Sequence, residues 1–212
     1  MKDFPVFTTE YGVAGLVLKE IPYRQEAYIT IRSSQEPEKL LEECVSFCRM
    51  CGAEKIYAAG WEGLTCFPLF TTILEMRGTA WVAPEQLRSL FPVTEQTVAR
   101  WREVYNERMK DVPCAATMTS RDEKEILESG GAYFVHEDGQ LLGIFWVKET
   151  KLLAITSIKP GAGQYVMHTM MSVAEGSQMQ LQVASTNDRA IRFYQKMGFL
   201  AVNEVVRWYQ VQ

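Results

Sequence analysis

The stretch Asn187-Asp-Arg-Ala190-Ile-Arg-Phe193-Tyr194-Gln-Lys-Met-Gly198-Phe199 decides how this 212-residue chain is read. Asn187 suits a helix N-cap, because its side-chain oxygen can accept from the N–H groups that the first turn leaves unpaired. Ala190, Ile191, Phe193, Tyr194 and Met197 then recur at helical spacing and form an apolar stripe. Gly198 suits the left-handed residue that ends a helix, and Phe199 can fold back on the last turn. These rules predict a short helix leading into a strand over Phe199–Val211. They do not require a tyrosine at Tyr194, seven positions after the asparagine.

Working back toward the N-terminus, Thr94 opens a predicted helix to Lys110, with Val98, Trp101, Val104 or Tyr105, and Met109 on one side. Ser120-Arg-Asp-Glu123 reads as a capping box for a second helix, which Gly130-Gly131 ends. Ala132–His136 and Leu141–Val147 flank Asp138-Gly139, a strong hairpin signal. A turn at Lys148–Thr150 leads to a third strand, Leu152–Ile158. A glycine-bearing loop, a helix over Gln164–Ala174 and a strand over Met179–Ala184 follow. The order is two helices, three strands, helix, strand, helix, strand.

The spacing Asn-x-x-Ala-x-x-x-Tyr-x-x-x-Gly-Phe closely resembles the acyl-CoA-binding end of the GNAT N-acyltransferase superfamily, and the element order is the one that GNAT domains show. The resemblance implies an α+β fold, an α/β sandwich whose mixed central sheet carries helices on both faces. It implies transfer of an acetyl group from acetyl-CoA, as cosubstrate, to an amine by direct attack in a ternary complex. In that family the donor's pyrophosphate sits on the loop before the third helix, written Gln/Arg-x-x-Gly-x-Gly/Ala. Here Gly161-Ala162-Gly163 match its second half and Pro160 the proline that often precedes it. The loop is about three residues short, and Ile158 stands where Gln or Arg is expected. A Gly-rich turn at a helix start gathers backbone N–H groups and the positive end of the helix dipole, so it suits an anion. The implied donor-binding residues are Ile158, Lys159, Gly161, Ala162, Gly163, Gln164 and Asn187, with Asn187 on the pantetheine amide. A backbone N–H near Ile158 is the implied oxyanion donor. Tyr194 is the implied catalytic residue, its phenol donating to the leaving sulfur. The strand Leu152–Ile158 carries no carboxylate, so no general base is nominated. Trp101, Tyr105 and Asn106 lie in the region that borders the acceptor site in GNAT folds and are candidates for substrate contact. The alternative function is a non-catalytic GNAT-like module that binds CoA or serves in an interaction, favoured by the short loop and the missing base. The amine acceptor is not implied, since one fold serves many substrates.

The N-terminal half echoes part of this plan. Val13–Leu18 and Glu26–Arg32 read as hairpin strands, the second alternating apolar and polar. Pro37 suits the first turn of a helix ended by Gly52, and Lys55–Ala59 is a short strand. Such a unit is what a GNAT half retains after losing its ends. The expected division is a degenerate GNAT-like subdomain over residues 1–80 and a catalytic, acyl-CoA-binding domain over 91–212, with the boundary around Gly78–Pro92.

Composition narrows the remaining classes. With 47% hydrophobic and 23% charged residues the chain can build a sizeable core. A net charge of −4 argues against nucleic acid, which needs a concentrated basic face. No run of about 18 apolar residues suggests a membrane span. Met1-Lys-Asp-Phe-Pro5 lacks the apolar core of a signal peptide. The odd number of cysteines, 5, fits a reducing compartment, so the expected location is cytoplasmic. Cys44, Cys48 and Cys51 share the spacing of an iron–sulfur triad, but they sit on one face of a predicted helix beside Leu40 and Leu41 and are read as core; no metal is expected.

Overall fold

The computed structural model describes residues 5–79, 89–174 and 178–212. The first half of the chain forms β1 (Val6–Thr9), β2 (Gly12–Val17), a short helix α1 (Ile21–Arg24), β3 (Glu26–Ser34), α2 (Pro37–Met50), β4 (Lys55–Ala59), a 3-10 turn and β5 (Leu69–Thr79). The rest forms β6 (Ser89–Pro92), α3 (Val98–Met109), α4 (Asp122–Ser129), β7 (Ala132–Glu137), β8 (Gln140–Lys148), β9 (Lys151–Ser157), α5 (Gly163–Val173), β10 (Gln178–Ala184), α6 (Asp188–Lys196) and β11 (Leu200–Gln210). Strands β1, β5 and β6, the short helix α1 and the 3-10 turn were not expected from the sequence; the other elements fall within a few residues of their predicted places.

The chain divides into two compact units. The first comprises Met1–Ile73, Ala184–Thr186 and Glu204–Gln212, and the second Leu74–Val183 and Asn187–Asn203. The division thus falls at Ile73–Leu74, ahead of the expected Gly78–Pro92, and residues 80–88 of that boundary lie outside the described residues. The end of β11 is counted with the N-terminal unit, which local sequence patterning gives no means of anticipating.

In the first unit β1, β2 and β3 form an antiparallel meander. Strands β3 and β4 then run parallel over five pairs, from Glu26–Lys55 to Thr30–Ala59. β4 also takes the last residues of β11, Tyr209 opposite Ala58 and Gln210 opposite Tyr57. Helix α2 lays Leu40, Leu41, Cys44 and Cys48 into the core formed with Leu16, Ile29 and Ile56. Burial pushes the Cys44 and Cys48 thiols up to about 11 and about 12, as expected of cysteines that pack as small hydrophobes.

In the second unit β6, β7, β8 and β9 are antiparallel and β10 runs parallel to β9. Strand β8 explains why helices cover both faces. Its run Leu142–Val147 is buried throughout, and side chains alternate across a strand. Ile144 and Trp146 join the core under α3 and α4, with Trp101, Ile126 and Phe134. Phe145 and Val147 join the core under α5 and α6, with Val166, Met170 and Phe199. The capping of α4 is shifted one residue from the expected Ser120–Glu123 box: Asp122 Oδ2 accepts from the Thr119 N–H at 2.7 Å and from its hydroxyl at 2.9 Å.

Helix α5 is seated by a missing side chain. A Cβ at Gly143 of β8 would lie 2.4 Å from the Thr156 carbonyl oxygen and 2.7 Å from Val166 Cγ2. Gly143→Ala is expected to destabilise the protein by about 1–3 kcal/mol, because strand and helix must both retreat. A urea titration showing a lower midpoint at unchanged slope would register this, and an unchanged midpoint would contradict it.

Candidate active site

The second unit contains a wedge between two parallel strands. Strand β10 is in register with β9 only at Gln180–Lys151 and Leu181–Leu152, with the Gln180 N–H donating to Thr150 O at 2.8 Å. At the next residue β9 carries a bulge: Val147 and Trp146 are adjacent on β8, yet they oppose Leu152 and Ala154, leaving Leu153 as the extra residue. A bulge bends its strand and increases its twist, which turns β9 away from β10. Beyond Leu153, β9 keeps its pairing with β8 as far as Ser157 opposite Gly143. The Ile158 N–H donates to Leu142 O at 2.8 Å, which fixes the phase of that ladder. Alternation then directs the amides of Ile155 and Ser157 into the wedge.

This corrects one expectation. The N–H of Ile158 is committed to the sheet and cannot serve as the oxyanion donor; the amides of Ile155 and Ser157 face the opening instead. The sequence could not fix this phase, because nothing in Leu152–Ile158 marks where the extra residue falls.

The loop after β9 is a type II turn. Pro160 sets the first central position, and Gly161, at φ 84°, takes the second, where only a residue free of a Cβ is at ease. The Ala162 N–H closes the turn on Lys159 O at 3.1 Å. Ala162 is buried, so its role is to hold the turn rather than to present a donor. Helix α5 starts at Gly163, and its first backbone bond runs from Val166 N to Ala162 O at 3.0 Å. The N–H groups of Gly163 and Gln164 therefore have no acceptor within the helix and sit at its positive end. Lys159 is exposed and its Nζ is 3.5 Å from Gln140 Oε1.

Helix α6 supplies the remaining residues. Asn187 is its N-cap, with Oδ1 accepting from the Ala190 N–H at 3.2 Å, which leaves the amide nitrogen for another partner. Gly198, at φ 86°, ends the helix, and the Phe199 N–H donates to Tyr194 O at 3.0 Å. Phe199 is fully buried beneath Gly78, where a Cβ would lie 2.9 Å from its ring. Tyr194 packs on Phe199 at 6.2 Å and on Phe193 at 5.7 Å between ring centres. Its residue surface stays partly accessible, but the surroundings of the phenol are apolar and push it up to about 12. The phenol has no hydrogen-bond partner among the described residues, and it remains a proton donor across the physiological range.

The structure brings α5, α6 and β9 to one place. A Cβ on Gly163 would lie 3.7 Å from the Phe193 ring and 3.8 Å from Ser157 Oγ. Ser157 and Phe193 are therefore site neighbours that sequence reading missed. The acceptor candidates fare differently. Trp101 is fully buried with its indole N–H on Tyr133 O, Tyr105 is buried against it, and Asn106 spends both ends of its amide on the Met118 backbone. These three hold the α3 region together and are not available to a substrate.

No protein-family model matches the chain, and no curated protein matches it. Solved structures do. A GCN5-related N-acetyltransferase from Kribbella flavida aligns with a TM-score of 0.60 at 13% identity, over 100% of this chain and 91% of its own. One from Sphaerobacter thermophilus aligns at 0.59 and 13% identity, over 94% of this chain and 76% of its own. A protein of unknown function from Staphylococcus epidermidis aligns at 0.59 and 12% identity, over 98% and 93%. At these identities the likeness establishes the architecture: the chain has the GNAT fold.

Helix α5 also carries a pH-sensitive contact. His168 Nε2 lies 3.4 Å from Gln164 Nε2, an arrangement that suits a neutral imidazole accepting there, while Nδ1 is buried without a partner among the described residues. Burial holds its pKa below the usual histidine value. At pH above about 6.5 the ring is neutral in both folded and unfolded chains; on acidification the unfolded chain takes up the proton first, so stability falls. Thermal melts between pH 7.5 and 5 should show a declining Tm whose slope is reduced in His168→Leu. Equal slopes in the two proteins would show that His168 is not the group responsible.

Proposed function

We propose that the protein is an acetyl-CoA-dependent N-acetyltransferase acting by direct attack in a ternary complex. The observation that carries this reading is the wedge opened by Leu153, with the α5 amides at one end and Tyr194 on the neighbouring helix. Pantetheine would enter as an added strand, pairing with the amides of Ile155 and Ser157. The Asn187 amide nitrogen would hold a pantetheine carbonyl, and the Gly163 and Gln164 N–H groups the diphosphate. The acceptor amine must arrive neutral. Its nitrogen bonds to the thioester carbon as the C–S bond breaks, and the carbonyl oxygen is held by wedge-facing N–H groups while it carries charge. The sulfur takes the Tyr194 proton, the ammonium formed loses its proton to water, and the phenol is reprotonated from solvent. A phenol raised to about 12 supports this role, since it stays protonated wherever the amine is partly neutral. The first unit would act as a degenerate relative of the second. The five cysteines are all free, which supports a cytoplasmic setting for the reaction.

A second reading, a CoA-binding module without turnover, draws on β9, whose residues Leu152–Ser157 include no carboxylate to act as base. Calorimetric titration with acetyl-CoA separates both readings from a bare scaffold: micromolar binding is expected, and no binding at millimolar ligand would remove both. Screening amines for acetylated product then distinguishes the two. If turnover is found, Tyr194→Phe should lower kcat about tenfold or more with little change in KM, on the usual scale of acid catalysis. Undiminished product formation in that variant would mean the phenol is not the acid.

A further inference from the structure

The first unit holds a cleft of its own. Strands β3 and β4 run parallel and α2 connects them, so the carboxyl ends of both strands share an edge with the amino end of the helix. Outside the carboxyl ends of parallel strands is where sheets of this kind take ligands. A cleft of about 370 Å³ lies there, with Arg32, Ser33, Pro37 and Trp61 in its lining. Small-molecule sites run from about 300 to 1,000 Å³, so this one is sized for a small ligand.

Two of its side chains are held in place by glycines. Arg32 is the extra residue of a bulge: Val13 and Ala14 are adjacent on β2, yet they oppose Ser33 and Ile31. A bulge re-aims a side chain, and here the guanidinium lies over the bare backbone of Gly15. A Cβ at Gly15 would come 3.2 Å from Arg32 Nε and 3.4 Å from Nη2. Trp61 is seated in the same manner, since a Cβ at Gly63 would lie 2.1 Å from its ring. Arg32, Ser33 and the Trp61 indole N–H have no hydrogen-bond or ion-pair partner among the described residues. Glu36, close by in sequence, is paired with Lys39 and does not neutralise Arg32.

The edge is ill suited to a phosphate. Pro37 in the first turn of α2 has no N–H to offer, and Ser34 Oγ already takes the N–H of Glu36. One guanidinium matches one carboxylate, which it can grip through two parallel N–H bonds. Pro37 and the half-buried Trp61 ring supply an apolar wall, against which a flat body packs well.

We propose that this cleft binds a small carboxylic acid with a flat apolar body, its carboxylate on Arg32 and the Ser33 hydroxyl and its body against Trp61 and Pro37. The proposal concerns the first unit alone and does not rest on the donor reading above.

The test uses benzoate as probe, with benzamide, inorganic phosphate and acetyl-CoA as comparisons, read from the tryptophan indole N–H resonances of the nitrogen-15-labelled chain. Trp61→Phe identifies the Trp61 signal by its loss. Benzoate should shift that signal saturably, benzamide and phosphate about tenfold more weakly or not at all. Arg32→Gln should cost about tenfold in benzoate affinity, and Arg32→Lys, which keeps the charge but not the fork, a smaller factor. Circular dichroism and Tm verify that both variants fold. Absence of a saturable shift at Trp61 would overturn the site, as would equal binding of benzoate and benzamide or unchanged affinity in Arg32→Gln. Displacement of benzoate by acetyl-CoA would overturn it too, because the cleft would then serve the thioester and not a free acid.

Discussion

One extra residue in one strand governs the second unit. Leu153 shifts the hydrogen-bonding phase of β9 by a single position, so that Thr150 and Leu152 address β10 while Ile155 and Ser157 address the wedge. Without it, β9 would stay parallel to β10 along its length, and the amides in the wedge would be consumed in the ladder. The close seat of α5 on Gly143 then holds the amino end of that helix over the strand that has turned away. Helix α6 completes the arrangement because Phe199, driven fully into the core beneath Gly78, anchors its far end and fixes the orientation of Tyr194. Separation of two strands, not any single side chain, is what the other features serve.

The two units share a strand–helix–parallel strand core and differ in how far the parallel strands are joined. In the first, β3 and β4 are paired over five residues. In the second the corresponding pair is joined over two. The amino end of α2 also differs from that of α5. Glu36 and Glu38 flank it, Ser34 Oγ accepts the Glu36 N–H, and Lys39 is held by Glu36. Acidic side chains flank the amino end of α2, whereas the first turn of α5 carries none.

Much of this was legible in the sequence, for identifiable reasons. The Asp138-Gly139 turn, the Pro160-Gly161 turn and the Gly198 terminus each demand a backbone shape that few residues supply, so the elements between them were placed to within a residue or two. Asn187 and Tyr194 were singled out because a helix by itself does not require a tyrosine at that distance from its cap. The misses have physical causes as well. β5 lacks a clean alternation, since its stretch Leu69–Thr79 mixes buried threonines with exposed leucine. The commitment of the Ile158 N–H to β8 was not legible because a bulge has no side-chain signature. Trp101, Tyr105 and Asn106 resembled the lining of a pocket, yet an amide that satisfies a buried loop and an indole that satisfies a strand carbonyl have the same composition as one that greets a substrate.

The assignment of Glu204–Gln212 to the N-terminal unit has a consequence for synthesis. Ile56 gives its N–H to Gln212 O and receives the Val211 N–H, so β4 is not completed by any residue made near it in time. A ribosome that has delivered β1 to β4 has delivered a sheet with an open edge, and that edge must wait for some 150 further residues, on the count from Ile56 to Gln212, before its partner exists. Completion of this sheet edge therefore waits on residues far later in the chain, and during that interval β4 is the strand that other chains or chaperones can reach.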